Sequence, residues 1–170
     1  MKKIILSMAL TVCLAGPGFA AQGLTADEEN FIRKAATSDQ TEIMLSKLAL
    51  ERAGSPQVKE FAQMMVTDHT RSTSLLKPIA ADHGVNLPEN TQPANNENYQ
   101  KLEKQSGTAF DKIYIETMVK DHQDMLHAFE TEAGQATDPK LKEFISMVQP
   151  IVAHHLQMAK ELRQTKQTES

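Results

Sequence analysis

Two short stretches decide the fold: Ser55-Pro56-Gln57-Val58-Lys59-Glu60-Phe61 and Asp138-Pro139-Lys140-Leu141-Lys142-Glu143-Phe144. Each opens on a residue suited to a helix N-cap, places proline in the first turn and then spaces its apolar residues along one helical face. Each also follows a long amphipathic run. In those upstream runs, Phe31 and Ala49-Leu50-Glu51 match Phe110 and Ala128-Phe129-Glu130 at the same internal spacing. The chain therefore reads as two copies of one helical hairpin. Short turns make each pair antiparallel. Two such units could not cap a solenoid, so a closed four-helix bundle is the better packing solution.

The first predicted helix starts at the capping box Thr25-Ala26-Asp27-Glu28 and runs to about Ala53, where Gly54 stops it. The second runs from the Ser55 cap to near Gly84, the third from about Thr108 to Gly134, and the fourth from Asp138 to about Gln164. Between the second and third, Val85 to Gly107 is crowded with Asn, Pro, Gln and Glu. It reads as a long crossover with one short helix around Tyr99 and Leu102. The fold class expected is all-α.

Residues 1–20 read as a cleavable signal peptide. Lys2 and Lys3 precede the apolar run Ile4 to Ala15, and Gly18-Phe19-Ala20 is a small-x-small site before Ala21. The run is shorter than the roughly 20 residues of a membrane span. Cys13, the single cysteine, leaves with the signal, so residues 21–170 carry no thiol chemistry. The expected location is the periplasm or the exterior. The whole chain carries a formal charge of −4, and loss of Lys2 and Lys3 makes the remainder more acidic, which argues against nucleic acid as a partner. No Ser-His-Asp arrangement, phosphate loop or nucleotide fingerprint is present.

Each predicted helix has one apolar seam, and each seam is interrupted near its middle by a metal-competent side chain. The first seam is Phe31, Ala35, Ser38, Glu42, Leu45 and Ala49. The second is Val58, Ala62, Met65, His69, Ser72, Leu76 and Ile79. The third is Ile115, Met118, His122, Met125 and Phe129. The fourth is Leu141, Phe144, Val148, Ile151, His155, Met158 and Leu162. A buried Glu without a partner is costly, and a buried His must satisfy two ring nitrogens. One interruption per helix suggests that Glu42, His69, His122 and His155 meet, and a divalent zinc, iron or copper ion would satisfy all four together.

Asp68 and Asp121 precede two of the histidines and sit about 100° round the helix from them. They are placed to orient an imidazole on a neighbouring helix, although each alone reads first as a surface charge. Depth argues against a tight site: counted from the predicted turn, His155 stands about five residues, or ~7 Å, farther out than His122. The alternative is a hydrogen-bonded polar layer without metal, which would fix helix register. His83 suits the end of the second helix as a cation. His127 and His154 fall off the seams, with His154 a spare ligand candidate. The methionines read as core filler.

The segments Phe61 to His69, Tyr114 to His122 and Pro150 to Leu156 resemble a bacterial family of exported ferritin-like proteins, catalogued as domain of unknown function four-one-four-two. The resemblance covers residues 21–170 and implies a ferritin-like bundle in the cell envelope. It implies no established activity. A ferritin di-iron centre does not carry over. That centre needs a glutamate three residues before two of its histidines, whereas Val66, Val119 and Val152 precede His69, His122 and His155.

Three function classes follow. One is a metal-binding carrier, sink or stress-protection protein. The second is a metal-free bundle that binds partners or supports the envelope. The third is a mononuclear metal oxidase or peroxide-removing enzyme, for which the sequence shows no substrate route.

Overall fold

The structure is a computed structural model that describes residues 23–88 and 92–168. The signal-peptide reading of residues 1–20 lies outside them. Among the described residues there are five α-helices, one 3-10 turn at Pro93–Asn95 and no strand. Four helices are long: α1 (Ala26–Arg52), α2 (Pro56–Asp82), α4 (Gly107–Gln135) and α5 (Pro139–Thr168). The fifth, α3 (Glu97–Leu102), is the short crossover helix. Each expected helix is present within a few residues of its predicted ends.

Local chemistry explains those ends. Thr25 and Glu28 form the reciprocal capping box of α1. The Asp138 carboxylate accepts from the Leu141 N–H at 2.8 Å and caps α5. Ser55 stands at the N-cap of α2 but makes no such bond. Its hydroxyl turns to Gln57 instead. His83 ends α2 as expected, and its Nε2 lies 3.1 Å from Asp138. Gly84 follows at a φ of 66°, a left-handed turn for which glycine is suited.

Helix α1 packs on α2 and α4, and α5 packs on α4 and α2. Each long helix thus has two neighbours among the other three. Carboxylates lock the two hairpins together at opposite ends. Asp111 of α4 accepts from the Gly54 and Ser55 amides in the α1–α2 turn, both at 2.9 Å. Glu28 of α1 accepts from the Thr137 and Asp138 amides in the α4–α5 turn. At the first of these ends the backbones touch: Ala53 bridges to Gly107, and a Cβ on Gly54 would stand 2.8 Å from the Gly107 Cα. Only a glycine fits there.

The reciprocal clamps fix the register of the internal repeat. Ala53 and Ala136, the two C-caps, stand 83 residues apart, as do Gly54 and Thr137, Ser55 and Asp138, and Glu28 and Asp111. The same separation pairs the buried faces of α1 and α4: Phe31 with Tyr114, Ile32 with Ile115, Ala35 with Met118, Ala36 with Val119. The sequence match of Phe31 with Phe110 is therefore one helical turn out. A shift of four residues keeps the same face of a helix, so periodicity alone does not detect it.

Two apolar clusters fill the interior. One, around Phe31, Ile79, Phe129, Leu141 and Phe144, lies toward the α4–α5 turn. The other, around Leu45, Val58, Phe61, Phe110, Tyr114 and Met118, lies toward the α1–α2 turn and is closed by Leu102 of α3. Between them lies a layer of buried polar side chains: Asp39, Glu42, His69, Ser72, His122 and His155.

Two seam expectations need correction. Ser38 is only half-buried, and Asp39 takes its place inside. In α5, Val152, Leu156 and Ala159 are buried, whereas Ile151, Met158 and Leu162 are half-buried. The inward face of each helix is a stripe two residues wide, so a one-residue error in its centre swaps neighbours.

Candidate metal centre

Three helices deliver the polar layer's histidines to one point. His69 comes from α2, His122 from α4 and His155 from α5, and their ring centroids stand 5.4 to 5.6 Å apart. One nitrogen from each ring lies within 4.8 Å of the other two. All three residues are buried.

Each ring is anchored through one nitrogen only. His69 Nδ1 lies 2.8 Å from Asp39 Oδ1, and Asp39 in turn accepts from the Thr73 hydroxyl at 3.0 Å. His122 Nδ1 lies 2.9 Å from the Met118 carbonyl, one turn back on α4. That carbonyl can only accept, so Nδ1 carries the proton. His155 Nε2 lies 3.0 Å from Asp68 Oδ2, across the α2–α5 interface. The other nitrogens, His69 Nε2, His122 Nε2 and His155 Nδ1, are buried with no partner. This is how metal-binding imidazoles are held: the outer nitrogen donates to a carboxylate or carbonyl, and the inner one keeps its lone pair free.

The electrostatics agree. Burial, with the neighbouring His69 and His155 rings, pushes His122 down to about 3. Burial, again with His69, pushes His155 down to about 4, against the pull of Asp68. Both rings are neutral at pH 7, the form that binds a metal. Tetrahedral ligands at bonds of ~2.0–2.1 Å stand ~3.4 Å apart, so a contraction of at most ~1.4 Å from the 4.8 Å limit would close the triad on an ion.

Glu42 stands in the same layer but outside the mutually close set. Its side chain is 1% exposed, and its Oε2 has no partner. Burial first, then the Asp121 and Asp39 carboxylates, push its carboxyl well above the usual range. It lines a small space with Asp39, Asp121, His69 and His122.

Asp68 lies within hydrogen-bond distance of an imidazole on a neighbouring helix, that of His155. Asp121 makes no such bond. It is half-buried beside Glu42, and burial raises its carboxyl, with Lys120 opposing and Asp124 adding. Asp39 is the orienting residue that sequence reasoning missed. Its signal was available, since Asp39 and Glu42 are three residues apart and share a face. His127 and His154 are exposed, as expected of residues off the seams.

The depth mismatch between His122 and His155 is smaller than expected. Helix α4 continues to Gln135, so His122 lies 13 residues before its end, against 16 for His155 from Pro139. The remaining offset is ~4.5 Å. Side chains lean toward their own helix N-terminus, so in these antiparallel helices the two imidazoles lean toward each other's level.

A family model, the domain of unknown function DUF4142, matches residues 15–162. The chain belongs to this family. Among curated proteins none matches it in sequence. Its fold is similar to that of a DUF305 fragment from Deinococcus radiodurans, with a TM-score of 0.75 and 12% identity, over 85% of this chain and 99% of that one. It is also similar to CopM in Cu(I)-bound and Cu(II)-bound forms, each with a TM-score of 0.69 and 17% identity, over 81% of this chain. The match covers 96% and 97% of those two chains. No helix among the described residues is long and apolar enough to cross a membrane.

Proposed function

We propose that this protein binds one transition-metal ion on His69, His122 and His155 and serves the cell envelope as a metal carrier or sink. The observation that carries the reading is three buried histidines with one ring nitrogen each within 4.8 Å of the others, every ring anchored through one nitrogen and unpartnered at the other. A polar layer evolved only for register would satisfy these atoms among themselves, because an unsatisfied buried acceptor costs about 1–3 kcal/mol. Four long helices with a long second-to-third crossover support a ferritin-like reading of the bundle. A cleaved signal at residues 1–20 and a periplasmic location belong to the same proposal.

An all-imidazole set suits zinc, copper and iron. Copper(II) binds nitrogen sites most tightly of the divalent first-row ions, and the similar fold of CopM was solved with copper bound. Copper is therefore the first ion to test. Three protein ligands leave a coordination position open to water or to a receiving ligand, which suits transfer.

The test is a titration of chelator-treated protein with copper, zinc and iron, followed by melting curves and elemental analysis. The reading requires saturation at one ion per chain. It also requires a stability gain of about 2.7 kcal/mol when free ion is a hundred times its dissociation constant. Identical melting with and without each ion, and none retained, would favour the metal-free interaction protein instead.

A further inference from the structure

The triad lies between two depressions of different character. On the α1–α4 face, a recess of ≈430 Å³ opens to solvent. Lys34, Thr37 and Asp124 form its exposed rim, and Thr41, Ser38, Asp121, Met125 and Glu42 lie progressively deeper. Ser38, Glu42, Asp121 and Met125 also wall the small space against His69 and His122. The recess and the imidazoles thus share a partition, and Glu42, whose Oε2 is buried without a partner, lines both the recess and the small space.

On the α2–α5 face, a cavity of ≈170 Å³ reaches His69 and His155. Its walls are mostly apolar: Leu75, Met147, Val148, Ile151 and Val152. Of its charged groups, Asp68 is engaged with His155, and Arg71 presents a guanidinium that repels a metal cation.

We propose that the α1–α4 recess is an outer cation site, where a hydrated divalent ion docks on Asp121 and Glu42 before passing to the three imidazoles. The inference rests on the metal reading above and adds the direction of loading. A carboxylate-lined cleft concentrates cations at its mouth. Carboxylate and hydroxyl oxygens replace the ion's water shell in stages, and Ser38 and Thr41 supply the hydroxyls beside the carboxylates. At the rim Asp124 pairs with Lys120 at 2.7 Å and also feels Lys34, so the inner wall keeps its negative balance. A buried carboxylate without a partner is costly in the empty protein and favourable once a cation stands beside it.

Loading kinetics test this. Full-length mature protein is mixed with copper(II) or zinc(II), and a chromophoric indicator reports the free ion. Thr41→Trp narrows the recess, Asp121→Asn removes its charge, and Met147→Trp narrows the opposite cavity. The proposal expects the first two variants to slow loading by about ten-fold. A residue on the path acts on both directions, so release should slow similarly and affinity should change by less than about three-fold. Met147→Trp should load at the wild-type rate. Wild-type loading in Thr41→Trp and Asp121→Asn, or slow loading in Met147→Trp, overturns the route while leaving the metal centre standing. Failure of the folded wild-type protein to bind any ion overturns both. Asp121→Asn changes no volume, so it carries the test even if Thr41→Trp fails to fold.

Discussion

The α1–α2 hairpin and the α4–α5 hairpin follow one plan at their ends and diverge at their middles. At the ends, positions 83 residues apart do the same job: Ala53 and Ala136 end helices, and Glu28 and Asp111 each clamp the other hairpin's turn. In the polar layer the same separation pairs Asp39 with His122, Glu42 with Met125, His69 with Val152 and Ser72 with His155. No histidine of the layer has a matching histidine. The difference teaches that the shared positions hold the hairpins together, whereas the divergent ones gather the three histidines.

The largest effects should come from the shared positions. Glu28→Ala and Asp111→Ala each strip buried amides of a charged acceptor, so each should destabilise the protein by ~3 kcal/mol. For a chain of this size that lowers the melting temperature by ~6–12 °C. The clamps lie at opposite ends, so the double variant should lose the sum, while copper affinity stays near that of the wild type. A calorimetric loss at one clamp only would show that the ends are not equivalent.

His122→Asn should do the opposite. It removes a proposed ligand from the divergent layer and should weaken copper binding by about a hundred-fold or more, judged by competition with a chelator. Its fold should survive.

Acid separates the two regions again. His122 and His155 are depressed in the folded protein, so the unfolded chain takes up protons first, and stability present above pH ~6.5 is lost as pH falls toward 3 to 4. At Glu28, burial alone would raise the carboxyl, but the amides of Asp138, Thr25 and Thr137 overcome it and hold the group at about 2. Its contribution persists above pH ~4.5 and disappears only below. A pH series of urea midpoints should therefore fall in two stages, and His122→Asn should blunt the first.

The smallest effect concerns Glu42. A carboxyl raised by folding costs stability once pH exceeds its ordinary range. Glu42→Gln should therefore stabilise the metal-free protein at pH 7 by ~1–2 kcal/mol. A loss of stability on thermal melting would show that the ionised carboxylate has a partner in solution.

Much of this was legible in the sequence because caps and apolar periodicity are local. Thr25 and Glu28 announced the start of α1, and Pro56 and Pro139 the starts of α2 and α5. The seam positions of Glu42, His69, His122 and His155 put all four in one buried layer, and within it the three histidines come together while Glu42 stays outside the close set. What was missed depends on angle and register. Asp39 and Ser38 are adjacent on α1, and which of them faces inward turns on 100° of rotation. The partner of Asp111 lies in the other hairpin's turn, and no short-range pattern signals such a contact. The slipped pairing of Phe31 with Phe110 has the same origin, because helical periodicity is blind to a shift of one turn.

Glu28 and Asp111 relate the two hairpins as halves of a two-fold-like pair. Two identical hairpins related by such an axis would present every off-axis ligand twice. A dimer of the first would gather two histidines, and a dimer of the second would gather four. Three is an odd number, reachable only when the halves differ and are joined in one chain. The crossover from Val85 to Gly107 makes that joining, and so permits a three-histidine centre that a symmetric pair of hairpins could not assemble.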